Sequence, residues 1–227
     1  MHIIFTFLSF LLISFNVYSI DTKAGQAIVI DFKNNEILFE KNSNELIPPA
    51  SMTKIMSVYV AFDRLQNTDL SIDDICKISA KAYKMGGSRT FLEIDDSVSI
   101  NDLLMGIIVQ SGNDASVALS ECLAGTESDF ANLMNVYADN LDMKNTNFIN
   151  SSGWPDTNHY STVSDLALLS NAIIKDFPNL YSYFNLKEFS YNDITQPNRN
   201  KLLTSLVGAD GLKTGYTKKS GWGISGS

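Results

Sequence analysis

Ser51, Met52, Thr53 and Lys54 place a hydroxyl and an amine three residues apart. On the opening turn of a helix, positions i and i+3 share one face, so these two side chains can meet. A serine is a weak nucleophile until a base takes its proton. Lysine serves as that base when a dry or cationic setting lowers its pKa, and a helix N-terminus favours the developing negative charge. Histidine is the usual base, but His159 is the sole candidate beyond the N-terminal stretch and no G-x-S-x-G elbow occurs. Taken alone, S-x-x-K also describes a helix start with an unrelated solvated lysine.

Ser111-Gly112-Asn113 is a second candidate. S-x-N occurs four times, at Ser14, Ser99, Ser111 and Ser190, so context must distinguish them. At Ser111 an apolar run, Gly106 to Val109, leads into a turn before the next helix. Such a turn can aim a hydroxyl and an amide into a cleft, or simply cap the helix that follows. Lys213-Thr214-Gly215 is the third, in a strand-like run after Asp210-Gly211. Lys213 and Thr214 offer a cation and a hydroxyl to a substrate carboxylate, and Gly215 leaves room for a substrate backbone along the strand. An edge strand that carries a lysine against aggregation has the same look.

The elements that must position these residues follow from periodicity. Ala27–Asp31 and Glu36–Glu40 read as a hairpin across an Asn-rich turn. After Pro48-Pro49, apolar residues at Ile55, Val58, Tyr59, Phe62 and Leu65 predict a helix with one buried face. Thr90–Ile94 reads as a strand. Helices are predicted over Asn101–Val109, from Asp114 to Ala124, and from a Ser128 cap to about Leu141. A loop over 145–160 precedes a helix over Thr162–Lys175, capped by Ser161 or Thr162. Glu188–Tyr191, Leu212–Thr217 and Gly221–Ser225 read as strands. Strands at both ends with helices between them predict an α+β fold in one folding unit.

The 227 residues carry 17 Lys+Arg against 25 Asp+Glu, a net charge of −8. That balance argues against a nucleic-acid partner, which calls for a basic face. His2 and His159 cannot build a three-histidine metal site. Cys76 and Cys122 lack C-x-x-C spacing. They could form one bridge in an oxidising compartment, but the expectation is two buried free thiols. Residues 1–19 carry no Asp, Glu, Lys or Arg and are apolar from Ile3 to Ile13. They read as a secretory signal peptide ending at Ser19, too short to span a bilayer.

In their order, and each on its expected element, the three motifs resemble those of the serine-type D-alanyl-D-alanine carboxypeptidases. These are low-molecular-weight penicillin-binding proteins of the S-x-x-K, S-x-N, K-T-G class. The resemblance runs from about Ala24 to the end, through Pro48–Lys54, Gln110–Ala115, Asn198-Arg199-Asn200 and Asp210–Thr217. It implies a β-lactamase/transpeptidase-like α+β fold, with an antiparallel sheet built from both chain ends around a helical lobe. The family's sheet continues past K-T-G, so residues 20–227 are expected to form a penicillin-binding catalytic domain that is incomplete at its C-terminal end.

The resemblance also implies roles. Ser51 attacks the penultimate D-Ala carbonyl, neutral Lys54 accepts its proton, and Ser111 relays a proton to the leaving amine. Asn113 holds the substrate amide, while Lys213 and Thr214 bind the terminal carboxylate. Gly215 and Tyr216 line the site, with the Ser51 and Tyr216 N–H groups as oxyanion hole. Arg199 either helps to hold the carboxylate or forms a structural salt bridge. No metal or organic cofactor is implied. The implied partners are peptidoglycan stem peptides ending in D-Ala-D-Ala, β-lactam inhibitors, and the inner membrane through peripheral association. The implied location is the periplasm or cell envelope.

Three alternatives stay open. A D,D-endopeptidase would use the same machinery. A class A β-lactamase would need an E-x-x-x-N glutamate, a spacing met by Glu188 and Asn192 in a strand-like run. A truncated, inactive peptidoglycan-binding fragment is the third.

Overall fold

α1 (Lys54–Asn67), entered through a 3₁₀ turn over Ala50–Thr53, is the axis on which the fold is built. Its sequence predicts one buried face, yet every residue from Lys54 to Phe62 is buried. A helix enclosed on all sides belongs at the centre of a core. Around it in this computed structural model, which describes residues 20–227, pack α3 (Ile100–Ile108), α4 (Asn113–Ala124), α5 (Glu127–Asn140) and α6 (Val163–Asp176). Phe62 meets Phe177, Tyr183 and Phe184 edge-on, each such pair adding about 0.5–1.5 kcal/mol to plain burial. The signal peptide read in residues 1–19 lies outside the described residues.

The strands form four antiparallel pairs among the described residues. β1 (Ala27–Ile30) pairs with β2 (Ile37–Lys41), and β3 (Ile75–Lys77) with β4 (Ser97–Ser99). β5 (Glu188–Tyr191) pairs with β6 (Ile194–Pro197), and β7 (Leu212–Thr217) with β8 (Gly221–Gly226). Short helices α2 (Ala80–Tyr83) and α7 (Leu202–Ser205) complete the set. The α+β architecture is the expected one, with a helical lobe between strands from the two ends. The sheet differs in one respect. β1 and β8 both pack on α6 and line one cleft of about 1330 Å³, but they do not pair with each other.

Several local expectations are corrected. Thr90–Ile94 is an irregular strap rather than a strand, because its amides are taken by one side chain. Asp114 accepts from Thr90, Phe91 and Leu92 N–H. α5 begins at Glu127 with Thr126 as its cap, accepting from Asp129 N–H at 3.0 Å, so Ser128 lies inside the helix. Thr162 caps α6 through Asp165 N–H. β6 escaped the sequence reading, although Asn192 and Asp193 both sit at positive φ in a two-residue turn, a hairpin signal in itself.

Cys76 and Cys122 are disulfide-bonded, which corrects the expectation of free thiols. Pairing of β3 with β4 turns Cys76 inward onto the last turn of α4, with the two Cα atoms 5.5 Å apart, within bridging range. The closed loop spans 46 residues. Replacing both cysteines by serine is expected to lower unfolding free energy by about 4 kcal/mol on loop entropy, read by thermal denaturation with and without reductant.

Candidate active site

The path to Ser51 is unusual at the backbone level. Ala50 has φ +50°, and Gly153 has φ +79°. A Cβ on Gly153 would lie 1.8 Å from the Ala50 carbonyl oxygen, so the 150–153 loop can press on the Ser51 turn only through a glycine. On the other side, a Cβ on Gly215 would come 3.1 Å from Pro49 O and 3.2 Å from Ser51 N. The sequence reading has Gly215 clearing space for a substrate backbone. The missing Cβ also spares the Ser51 turn, which β7 therefore crosses closely.

Lys54 is fully buried and its Nζ faces three oxygens. It donates to Ser51 Oγ at 3.1 Å, to Asn113 Oδ1 at 2.7 Å and to the Ser152 carbonyl at 2.6 Å. The Asn113 amide is oriented by its other end, whose Nδ2 donates to Gly86 O at 2.8 Å. Two of the three partners are thus carbonyl oxygens that can only accept. A neutral amine would give its two N–H groups to them and turn its lone pair to Ser51, the one partner with a proton to give. The electrostatics favour that neutral form. Burial first, then the Lys213 ammonium, drives Lys54 well below the usual lysine pKa, against Asp114 and Glu127.

Ser111 stands at φ +61° in the turn before α4. Among the described residues its hydroxyl takes no protein partner, and Asn113 N–H is tied to Ser88 O at 2.8 Å. The strap that holds this turn is the segment anchored by Asp114. Lys213 is buried, with Nζ donating to Thr214 O at 3.1 Å. Burial, and next the charge of Arg199, lower its pKa to about 7. Arg199 itself is exposed and forms no salt bridge among the described residues. Its backbone is fixed instead, by Arg199 N–H to Val109 O and by Asn200 Nδ2 to Gly211 O. Tyr216 is half exposed and stacks on Trp222, ring centroids 4.5 Å apart.

The structure brings Ser51, Lys54 and Asn113 into one hydrogen-bonded cluster, with Lys213 near enough to bear on Lys54 and β7 laid across the Ser51 turn. It adds residues the sequence reading missed. The Ser152 carbonyl is invisible to any side-chain pattern. His159, dismissed as a base, is buried beside the site. Its Nδ1 accepts from Ile149 N–H, so its Nε2 donates to Thr53 Oγ1 at 2.8 Å. Desolvation is the main cause that lowers its pKa to about 4, leaving it a neutral strut. Asn150 Oδ1 gathers the Gly153 and Trp154 amides, a turn that N-S-S-G-W-P could have signalled. Glu188 lies exposed on β5, opposite Pro197, which makes it a strand residue rather than a loop base. Among the described residues, no group of three His, Cys, Asp or Glu is placed to hold a metal ion.

Comparison with known proteins gives a consistent picture. The family profile for D-alanyl-D-alanine carboxypeptidase matches residues 14–227. The D-alanyl-D-alanine carboxypeptidase DacC of Escherichia coli is 39% identical over 213 residues, covering 91% of this chain and 53% of that protein. Penicillin-binding protein 5 of Haemophilus influenzae superposes with a TM-score of 0.88 at 37% identity, over 91% of this chain and 61% of that one. Penicillin-binding protein D2 of Listeria monocytogenes, solved in an ampicillin-bound form, gives 0.79 at 29% identity over 88% and 82%. The chain spans about half the length of the curated relatives it matches.

Proposed function

The chain belongs to the D-alanyl-D-alanine carboxypeptidase family, and from that premise we propose that it removes the terminal D-Ala from peptidoglycan stem peptides through an acyl-enzyme on Ser51. The observation that carries this reading is the Lys54 amine, buried, lowered in pKa and 3.1 Å from Ser51 Oγ. Neutral Lys54 takes the Ser51 proton as Oγ attacks the penultimate D-Ala carbonyl carbon. The Ser51 and Tyr216 N–H groups receive the oxyanion. The peptide C–N bond then breaks as the proton held by Lys54 is relayed through the Ser111 hydroxyl to the leaving amine, so that Lys54 is neutral again, and free D-Ala departs. Water hydrolyses the ester and returns Ser51 to its starting state.

Asn113 holds the substrate amide, and Lys213, Thr214 and Arg199 receive the terminal carboxylate. The unpaired Arg199 guanidinium supports that role over a structural salt bridge. A β-lactam enters as a mimic of the D-Ala-D-Ala amide and acylates the same serine. Residues 1–19 act as an export leader and residues 20–227 as penicillin-binding catalytic domain, which places the enzyme in the periplasm or cell envelope. The Cys76–Cys122 bridge supports an oxidising compartment. Among the described residues no helix is long and apolar enough to cross a membrane, and peripheral inner-membrane association rests on the resemblance alone.

The test is D-Ala release from a synthetic peptide ending in D-Ala-D-Ala, with Ser51→Ala in parallel. Release by the parent and none by the variant is the expected result. Equal release by both would overturn the assignment, and cleavage of cross-linked muropeptide in preference would favour the endopeptidase.

A further inference from the structure

The Ser152 carbonyl that accepts from Lys54 sits on a loop without regular structure, so something else must aim it. Glu127, the first residue of α5, is 8% exposed. One carboxylate oxygen accepts from the Ser151 N–H at 3.1 Å and from the Ser151 hydroxyl at 2.9 Å. The other takes Lys81 Nζ at 2.7 Å. The Ser151 carbonyl accepts in turn from Ser57 Oγ at 2.6 Å, on α1 and one turn beyond Lys54. Ser151 is therefore clamped through its N–H and hydroxyl by α5 and through its C=O by α1. The next carbonyl along, that of Ser152, then points at Lys54 Nζ.

We propose that Glu127 is a positioning residue for Lys54: by gripping Ser151 it fixes the Ser152 carbonyl, and with it the direction of the Lys54 lone pair toward Ser51. The inference rests on the reading of Lys54 as the base for Ser51. It implies an electrostatic effect as well, since the Glu127 carboxylate opposes loss of the Lys54 proton. The charged groups that bear on Lys54 are Lys213 from β7, Asp114 from α4 and Glu127 from α5, while His159 stands by as a neutral ring. Lys81 of α2 faces Glu127 itself.

Two substitutions separate grip from charge. Glu127→Gln keeps an acceptor for Ser151 and removes the anion; Glu127→Ala removes both. Carbon-detected NMR of lysine-labelled protein follows the Lys54 side chain through its titration, and a fluorescent penicillin reads acylation across pH. In Glu127→Gln the Lys54 midpoint and the rising limb of acylation move to lower pH, because losing a nearby anion disfavours the ammonium, while the plateau rate is kept. In Glu127→Ala the plateau falls about tenfold as the lysine loses its fixed acceptor.

A folded Glu127→Ala that acylates at the parent's rate would overturn the proposal, as would a Glu127→Gln that falls equally far. Should Glu127→Ala fail to fold, Glu127→Met, which fills the space without an acceptor for Ser151, is read in its place, and a parental plateau rate in it overturns the proposal. A parent that takes no penicillin at Ser51 sinks the functional reading. The Lys54 titration needs no acylation and still reports on Glu127.

Discussion

Replacing Lys54 by methionine is expected to lower the acylation rate about 10³-fold, the scale at which a positioned general base acts, while leaving a folded protein. Methionine fills a similar volume without bringing a charge into the core. The side chain it replaces is buried with its nitrogen against two carbonyl oxygens, so the variant loses those bonds and keeps the packing. The pH profile is the finer readout. Lys54 must be neutral to accept a proton, and its pKa is lowered well below the usual lysine value. Acylation therefore rises with pH through the Lys54 titration. Lys213 must be charged to hold a carboxylate, and its pKa is lowered to about 7. Capture of a carboxylate-bearing substrate falls as pH climbs past that value. The two lysines interact, so the limbs of the resulting bell belong to the pair. Residual reaction in Lys54→Met should lack the rising limb. A variant that keeps that limb would place the base elsewhere.

The second large effect is expected at a residue with no side chain, next to the Ser152 carbonyl that accepts from Lys54. Gly153→Ala puts a methyl group 1.8 Å from the Ala50 carbonyl oxygen and forces an L side chain to φ +79°. Holding alanine at positive φ costs about 1–3 kcal/mol, and the overlap must be relieved by moving either the 150–153 loop or the Ser51 turn. Either motion spoils the Ser51–Lys54–Ser152 geometry. A displacement of about 1 Å is enough to reduce rate about 10²-fold. The expected result is acylation down by that factor with the disulfide intact and circular dichroism unchanged. Parental acylation in Gly153→Ala would mean that the loop does not set the position of Ser51.

How much of this was legible in the sequence depends on which atoms carry the information. Apolar residues at helical spacing located α1, while a mostly apolar run located α3 and an Ala-rich run located α4. Motif order singled out Ser51, Lys54, Ser111, Asn113 and Lys213 because their types stand at fixed offsets, and the fold joins Ser51, Lys54 and Asn113 by hydrogen bonds. What was missed lies in the backbone or in single long-range partners. The third oxygen around Lys54 is a main-chain carbonyl, which residue type does not encode. The strap over 90–94 looks like a strand by composition, but one buried aspartate, Asp114, claims its amides. Gly215 reads in the sequence as room for a substrate backbone, and only the fold shows how closely the Ser51 turn also approaches it. The pairing of Cys76 with Cys122 needed the β3–β4 register to bring one onto the other.

The most direct test of the central claim is to find where a penicillin binds covalently. The chain would be treated with benzylpenicillin at neutral pH, digested and mapped by tandem mass spectrometry. One added penicilloyl group on the peptide containing Ser51, lost in Ser51→Ala and nearly lost in Lys54→Met, is the predicted result. An adduct on Ser111 or any other residue, or a folded parent that takes no adduct, would contradict the account.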